Sequence, residues 1–266
     1  MSTRQKSILI LTVVAALLMC NQVSFAEDAN EIVKKADHAA YYKSDSGRAD
    51  VTMEITDSLG RTRNRKMAIL RLDVKDGAEQ KFYVYFHEPN DVKGMSYLVW
   101  KQIGKDDDRW LYLPAMDLVR RVSASDKRSS FVGTNFVYED ISGRGTEEDE
   151  HSLLEEEDGK YKIKSVPKDL GSVEFSYFIS WIDKSNYMPV KAEYYDKQGK
   201  LYRTIEAVEV KDIKGYPTIT KMKATDLNSG GNTVSEFSNV DYDIDVEENI
   251  FTERFLRRPP RKYIEG

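Results

Sequence analysis

The spacing of apolar residues changes once along the chain, from a helical period to a strand period. Residues 28–42 carry apolar side chains three and four positions apart, which predicts an amphipathic helix with Asp28 or Asn30 as its N-cap. From residue 51 onward apolar and polar residues alternate, as in residues 51–55, and alternation of this kind is typical of strands with one buried face. The pattern therefore predicts one helix followed by a mainly β chain.

Short runs with this alternation recur to the end of the chain, separated by turn residues such as Asp, Asn, Gly and Pro. They predict twelve strands, at residues 51–55, 66–74, 81–87, 95–103, 109–113, 117–122, 161–166, 174–183, 189–196, 201–212, 216–227 and 232–243. No Pro/Gly/Ser-rich linker and no internal repeat divides the chain, so residues 27–266 are expected to form a single domain. A single antiparallel sheet of this size must curl, and its concave face must be filled or covered.

Two stretches interrupt the strand pattern. Residues 123–160 are polar and then heavily acidic, and residues 245–266 contain a predicted short helix near residue 250 before a basic tail. The acidic runs at 147–150 and 155–158 are interpreted as solvated loop, because dense like charges with few apolar neighbours repel one another and stay exposed. Paired carboxylates for acid-base chemistry are the alternative interpretation.

The first 26 residues have the three parts of a cleavable secretory signal peptide. Arg4 and Lys6 precede an apolar run at 8–19, and residues 24–26, Ser-Phe-Ala, form a small-x-small cleavage site. The apolar run is shorter than the roughly 20 residues that a membrane-spanning helix needs. We therefore expect export of a mature protein of residues 27–266. Lipid attachment at Cys20 is disfavoured, because a bulky methionine precedes that cysteine.

The charge balance of the mature chain limits its partners. The full chain carries a formal charge of −5, and removal of two positive residues with the signal leaves −7. A nucleic-acid partner is not expected, since that contact requires a basic face, and any lipid contact should be mainly apolar. Cleavage also removes the single cysteine, so disulfide bonds and thiol chemistry are excluded.

Signals for a metal or another cofactor are missing from the sequence. The three histidines are far apart, and no zinc-ligand spacing, nucleophile elbow, phosphate-binding glycine loop or dinucleotide fingerprint occurs. Asp241, Asp243 and Asp245 share one strand face but lack the glycine and distal glutamate of a calcium loop. We therefore predict no cofactor and no catalytic or metal site.

Residues 109–142 are the most informative part of the chain, because they combine aromatics, arginines and turn residues. Sixteen tyrosines and ten phenylalanines in the whole chain are enough both for a sheet core and for the wall of a cavity. The candidate cavity residues are Phe82, Phe86, Tyr97, Trp110, Tyr112, Phe131, Phe136, Phe175 and Tyr177. The candidate rim or head-group contacts are Arg120, Arg121, Tyr138, Glu139 and Asp140. For Glu139 and Asp140, turn capping or ion pairing with Arg120 or Arg121 is favoured over a hydrolase role.

Several separated segments resemble the outer-membrane lipoprotein-sorting-like family, relatives of the LolA and LolB lipoprotein carriers. They are ANEIVKKAD, DVTMEITDSLGRTR, FHEPNDVKGMSYLVW, RWLYLPAMDLVRRV with SSFVGTNFVYEDIS, and YDIDVEENIFTERFL. One departure is Asn135, where the family pattern favours aspartate. The resemblance implies a mainly β (α+β) fold, an incomplete antiparallel β-barrel covered by a few helices over an apolar cavity.

In the carriers that cavity holds lipoprotein acyl chains. The resemblance therefore implies a monomeric periplasmic protein without enzymatic activity that carries a lipid or lipoprotein acyl chain between the inner and outer membranes. Members of this branch tend to accompany efflux-type transporters, which makes an inner-membrane transporter a candidate partner. The alternative is a periplasmic sensor or interaction domain that binds a partner protein without carrying lipid.

Overall fold

A computed structural model describes residues 27–75 and 77–265, so the predicted signal segment lies outside the described residues. The helices are α1 (Ala29–Asp37), α2 (Glu139–Ser142), α3 (Glu253–Arg257) and α4 (Arg261–Ile264). The strands are β1 (Ser46–Thr56), β2 (Thr62–Asp73), β3 (Gln80–Glu88), β4 (Ser96–Lys101), β5 (Asp108–Leu113), β6 (Leu118–Arg121), β7 (Asp149–Glu157), β8 (Lys160–Pro167), β9 (Phe175–Asp183), β10 (Pro189–Asp196), β11 (Leu201–Ile213), β12 (Tyr216–Asp226) and β13 (Gly231–Tyr242).

All thirteen described strands form one antiparallel, curved and unclosed sheet in the order β6-β5-β4-β3-β2-β1-β13-β12-β11-β10-β9-β8-β7. Each strand pairs with its neighbour in sequence except at the step from β6 to β7, which are the two edges. The first and last strands, β1 and β13, pair with each other and join the two halves. The predicted mainly β fold, an incomplete barrel of curved sheet with few helices, is confirmed.

The predicted strands agree with the observed ones within a few residues, but β7 was missed. The acidic stretch, for which the sequence predicts a solvated loop, forms a nine-residue edge strand whose side chains are mostly exposed. Its glutamates face a lysine-rich neighbourhood, because Glu155 pairs with Lys162 and Glu156 pairs with Lys184. Solvent and these lysines compensate the negative charges, so an acidic sequence can form a strand. Such a strand has no alternation of apolar residues by which the sequence could predict it.

The predicted helix over residues 28–42 is present as α1 followed by one π-helical turn, His38–Tyr42. Asp28 occupies the N-cap position, and its carbonyl oxygen accepts a hydrogen bond from the Ile32 backbone N–H at 3.0 Å. One face of α1 packs Ile32 and Ala36 against Ile163 of β8 and Ile182 of β9. The apolar stripe of the helix therefore fastens it across the β7–β9 side of the sheet.

Both faces of the sheet are covered across strands β2 to β5. On the convex face, residues 244–265, here called the C-terminal strap, pack Phe251 and Leu256 onto Leu70, Tyr83 and Leu98. Hydrogen bonds to strap carbonyls come from the Tyr83 hydroxyl, Ser96 Oγ and Trp100 Nε1, at 2.8, 2.6 and 2.7 Å. The strap contains the predicted short helix as a 3₁₀ turn at Glu248–Ile250.

On the concave face, residues 122–148 cross from β6 to β7 and are here called the crossing segment. Phe131 is fully buried, with ring centroids 5.7 Å from Phe86, 5.5 Å from Tyr97 and 5.3 Å from Tyr138. The crossing segment thus fills one part of the concave face with aromatic side chains and leaves another part open.

Candidate functional site

The open part of the concave face is a cavity of about 500 Å³. On the β1–β3 side the cavity wall is part of the hydrophobic core, because Val51, Met53 and Phe82 are almost completely buried. On the β9–β13 side the same face presents apolar side chains that stay only half-buried, namely Phe178, Ala192, Ile205, Met222 and Phe237. Half-buried apolar side chains inside a curved sheet mark surface that the protein itself does not seal.

Helix α1 and its π-helical turn cover one side of this cavity with Val33, Ala36, Ala40 and Tyr41. The first turn of the helix is tied down through Glu27, which pairs with Lys35 and accepts a 2.8 Å hydrogen bond from the Tyr161 hydroxyl. These contacts, led by the Lys35 hydrogen bond, lower the pKa of the Glu27 carboxyl. Helix α1 is therefore held at its N-terminal end by polar contacts and along its length by apolar contacts.

The far end of the same helix is held by Lys101, a lysine that is 3% exposed. Its Nζ donates a 2.8 Å hydrogen bond to the Ser142 carbonyl, lies 3.9 Å from the Asp37 carboxylate and sits 5.0 Å from the Tyr41 ring centroid. One cation thereby joins α1, α2 and β4. Burial raises the pKa of Asp37 because the distant lysine does not fully compensate for lost solvation.

The crossing segment is anchored to the opposite half of the sheet by two polar contacts. Thr233 Oγ1 accepts a 3.0 Å hydrogen bond from the Asn135 backbone N–H and donates a 2.8 Å bond to Asn135 Oδ1. Asp140 pairs with Arg203 of β11, and its carboxylate also accepts a 2.7 Å bond from the Val137 backbone N–H. Both contacts span the interior, so they fix where the filled part of the concave face ends and the cavity begins.

A buried ion network lies where the crossing segment meets the cavity. Glu139, 7% exposed, is within 3.2 Å of Lys127 and 3.5 Å of Arg144. Arg144 makes a two-pronged contact with Asp149, at 2.9 and 3.0 Å, and a further one with Glu148 at 2.7 Å. Paired charges of this kind can stay ionised away from water, and they hold the segment against β7.

No helix in residues 27–75 or 77–265 is long and apolar enough to cross a membrane. Within that same part of the chain, no group of three or more His, Cys, Asp and Glu side chains is placed to hold a metal ion.

Comparison with known proteins identifies the family. A protein-family model described as "Uncharacterized protein" matches residues 78–258, more than half of the chain. A DUF1329 family protein from Desulfovibrio piger is 29% identical over 86% of this chain and 97% of its own, with a TM-score of 0.79. The chain belongs to the DUF1329 family. The lipoprotein-sorting-like resemblance is confirmed by the solved structures that follow.

A putative outer membrane lipoprotein-sorting protein domain from Vibrio parahaemolyticus is 28% identical to this DUF1329 protein and has a TM-score of 0.79. That match covers 86% of this chain and 98% of the other. A LolA superfamily protein from Nitrosomonas europaea, 24% identical with a TM-score of 0.67 over 86% and 100% of the two chains, shares the fold. The search of curated proteins finds no match.

In this DUF1329 structure, the nine candidate cavity aromatics fall into three groups. Phe82 and Phe136 line the cavity. Phe86, Tyr97 and Phe131 are on the same side of the sheet but belong to the packed aromatic cluster, and Phe175 is buried beside Phe178 and Tyr194. The remaining three are on the opposite face: Trp110, Tyr112 and Tyr177.

The placement of those three corrects the sequence interpretation. In β5 it is Leu111 that faces the concave core, while Trp110 and Tyr112 pack under the C-terminal strap. In β9 it is Phe178 that lines the cavity, and Tyr177 stacks on Tyr195 outside it with centroids 4.6 Å apart. Both faces of these strands carry apolar residues, so alternation alone does not reveal which one points inward.

The candidate rim residues separate in the same way. Glu139 and Asp140 line the cavity, but their carboxylates are engaged by Lys127, Arg144 and Arg203 instead of Arg120 or Arg121. Tyr138 belongs to the buried aromatic cluster with Arg120 beside it, and that burial raises the Tyr138 pKa. Arg121 pairs with Asp108 and sits over the Trp110 ring on the convex face. It is therefore not at the rim.

Sequence reasoning missed most of the cavity wall. Its half-buried members include Tyr194 of β10, Ile205 and Ala207 of β11, and Met222 of β12. The signal was present, because apolar residues recur at every second position of these strands opposite charged ones. The alternation alone does not distinguish a strand face that lines a cavity from one that packs into an ordinary sheet core.

Proposed function

We propose that this protein is a non-enzymatic periplasmic carrier that shelters an acyl chain in its concave cavity. The observation that carries the proposal is the unsealed apolar wall formed by β9–β13 beneath α1. The cavity volume falls within the roughly 300–1,000 Å³ that ligand pockets occupy. The cavity lies in a fold that this protein shares with a lipoprotein-sorting relative, and the shared fold supports the same class of cargo here.

The energetics suit reversible carriage. Burying a methylene group is worth about 0.8 kcal/mol, so a chain of twelve contributes roughly 10 kcal/mol as an upper estimate. Association costs about 4–15 kcal/mol in lost freedom, so apolar burial alone gives binding that can be reversed. A carrier must release its cargo, and no covalent step is needed for that.

The route that we propose runs from an inner-membrane efflux-type transporter to the outer membrane, and two further observations support its periplasmic setting and its non-enzymatic character. The N-terminal 26 residues have the composition of an export signal. Two acidic side chains that line the cavity, Glu139 and Asp140, are held in ion pairs that fasten the crossing segment. Their engagement supports a structural role instead of acid-base catalysis.

Native mass spectrometry of the protein purified from the periplasm tests the proposal. We expect a monomer carrying extra mass in the range of an acyl lipid, and loss of that mass after extraction with organic solvent. A neutral fluorescent acyl ester should then bind to the extracted protein. An unliganded mass together with failure to bind the ester would contradict carriage, and co-purification with a membrane protein in that case would favour the interaction-domain alternative.

A further inference from the structure

The polar groups that reach the cavity restrict the head group that can enter with an acyl chain. Five cations contribute to its lining, and four of them already have an acidic partner. Arg48 is 2.9 Å from Asp50, Arg71 is 3.2 Å from Asp73, Lys191 is 2.7 Å from Glu193, and Arg144 is 2.9 Å from Asp149. The fifth, Lys43, is solvent-exposed.

One acidic side chain of the lining, Asp37, is not balanced in the same way. The Asp37 carboxylate lies 3.9 Å from Lys101 Nζ and accepts no hydrogen bond from any described residue, while the ion-paired carboxylates of Glu139 and Asp140 also belong to the wall. A ligand carboxylate or phosphate placed inside would meet these anions and would find no unpaired buried cation among the described residues. An uncompensated charge in such a site is strongly disfavoured.

Hydrogen-bond donors are nevertheless available in the cavity. Tyr41 and Tyr194 both line it, and neither hydroxyl has a hydrogen-bond partner among the residues that the structure describes. Tyr41 is positioned by Gly143, whose Cα faces the tyrosine ring so closely that a Cβ would lie 2.8 Å from it. Tyr194 is stacked on Phe178 with centroids 5.2 Å apart and has the Arg203 guanidinium 5.1 Å from its ring.

The two tyrosines lie close enough to each other and to Asp140 to interact electrostatically. Burial raises the pKa of both hydroxyls, so they remain protonated and can donate at any physiological pH. By contrast, Tyr216 and Tyr242 also line the cavity but already bond to Asp243 and Thr218, each at 2.7 Å. Of the four tyrosines that line the cavity, only Tyr41 and Tyr194 thus have a free hydroxyl among the described residues, and the unpartnered Ser235 Oγ is a further donor in the lining.

We propose that the cavity selects uncharged acyl esters or amides over free fatty acids, with the ligand carbonyl oxygen accepting a hydrogen bond from Tyr41 or Tyr194. This inference rests on the proposed function and specifies its ligand chemistry. Ester carbonyls occur in glycerolipids and amide carbonyls in N-acylated proteins. Both present the same acceptor next to a hydrocarbon chain.

Four probes with the same sixteen-carbon chain test the proposal against the extracted full-length mature protein at pH 7.5: methyl palmitate, N-methylpalmitamide, palmitate and hexadecane. We expect the ester or the amide to displace a neutral fluorescent acyl ester at least about tenfold better than palmitate, whose carboxylate is ionised at this pH. The order of ester and amide distinguishes a glycerolipid source from an N-acylated protein source.

Two variants then locate the contact. Replacing both Tyr41→Phe and Tyr194→Phe should weaken the preferred carbonyl ligand about three- to tenfold, since one or two net hydrogen bonds are lost. Hexadecane, which has no carbonyl group, should bind equally well to the variant and to the wild type. Tyr216→Phe is the matched control, because its hydroxyl is engaged elsewhere, and it should change neither affinity.

The outcomes separate this inference from the proposed function. Palmitate binding as tightly as the ester and the amide, or a double variant that weakens hexadecane as much as the carbonyl ligand, would overturn the carbonyl assignment and leave carriage intact. Failure of all four probes to bind would overturn carriage itself and this inference with it.

Discussion

At the scale of single residues, neighbours in one strand have unrelated tasks. Leu111 packs into the concave core, whereas Trp110 beside it lies under the C-terminal strap, 5.0 Å from the Trp100 ring centroid. The identity of a residue therefore says less about its role than the parity of its position. Substitutions on the two faces should affect two different properties, stability and ligand binding.

Trp110→Ala should lower the free energy of unfolding by about 1–3 kcal/mol, since it removes a large, partly buried aromatic from the strap interface. Binding of a neutral acyl ester should be unchanged, because the side chain is on the far side of the sheet. Urea unfolding and ester titration of the same preparation check both statements. Weakened binding in a variant that remains folded would place Trp110 at the cavity after all.

Asp37 provides a prediction about pH. Its pKa is raised by burial, so between its ordinary value and its folded value the native state holds a proton that the unfolded chain has lost. Stability contributed at this position is therefore present at low pH and is lost as pH rises through that window. Asp37→Asn should be at least as stable as the wild type at pH 7.5, with the difference shrinking below the ordinary pKa of Asp. Urea unfolding at several pH values measures this, and a gap that widens on acidification would contradict it.

At the scale of elements, the sequence predicted the strands in which burial of one face produces an alternation of apolar and polar residues. In β1, Val51, Met53 and Ile55 alternate with exposed residues because one face packs into the core. Strand β7 gave no such pattern, because an edge strand with solvated side chains needs only its backbone hydrogen bonds to β8. The inward face of β5 could not be predicted either, since the strap that covers its outer face comes from residues more than a hundred positions later.

The pair of Asn135 and Thr233 is one of the polar contacts that position the crossing segment. Asn135→Ala should cost about 1–3 kcal/mol, because Thr233, which is fully buried, then loses its acceptor. Asn135→Asp should stay within about 1 kcal/mol of the wild type, since a carboxylate oxygen can accept the same hydrogen bond. Thermal or urea unfolding of the two variants checks this, with equal losses in both being the contradicting result. The aspartate that the family resemblance favours at this position would thus fit the same contact.

At the scale of the whole molecule, the thirteen described strands form an unclosed sheet whose two halves join where β1 pairs with β13 and whose edges are β6 and β7. The strap covers β2–β5 from outside, the crossing segment fills the β1–β5 half from inside, and α1 spans the remaining side. The β9–β13 half of the concave face keeps its apolar wall. The cavity is therefore a consequence of the overall architecture, and the sequence could indicate surplus aromatic surface but not where it remains unsealed.

The central claim, that this cavity holds the acyl chain, is tested most directly by two tryptophan substitutions at adjacent positions of β11. Ala207 lines the cavity, whereas Val208 is 54% exposed outside it. We predict that Ala207→Trp fills the cavity and weakens binding of a neutral acyl ester at least about tenfold, while Val208→Trp binds like the wild type. Equal ester affinity in the two folded variants would contradict the account.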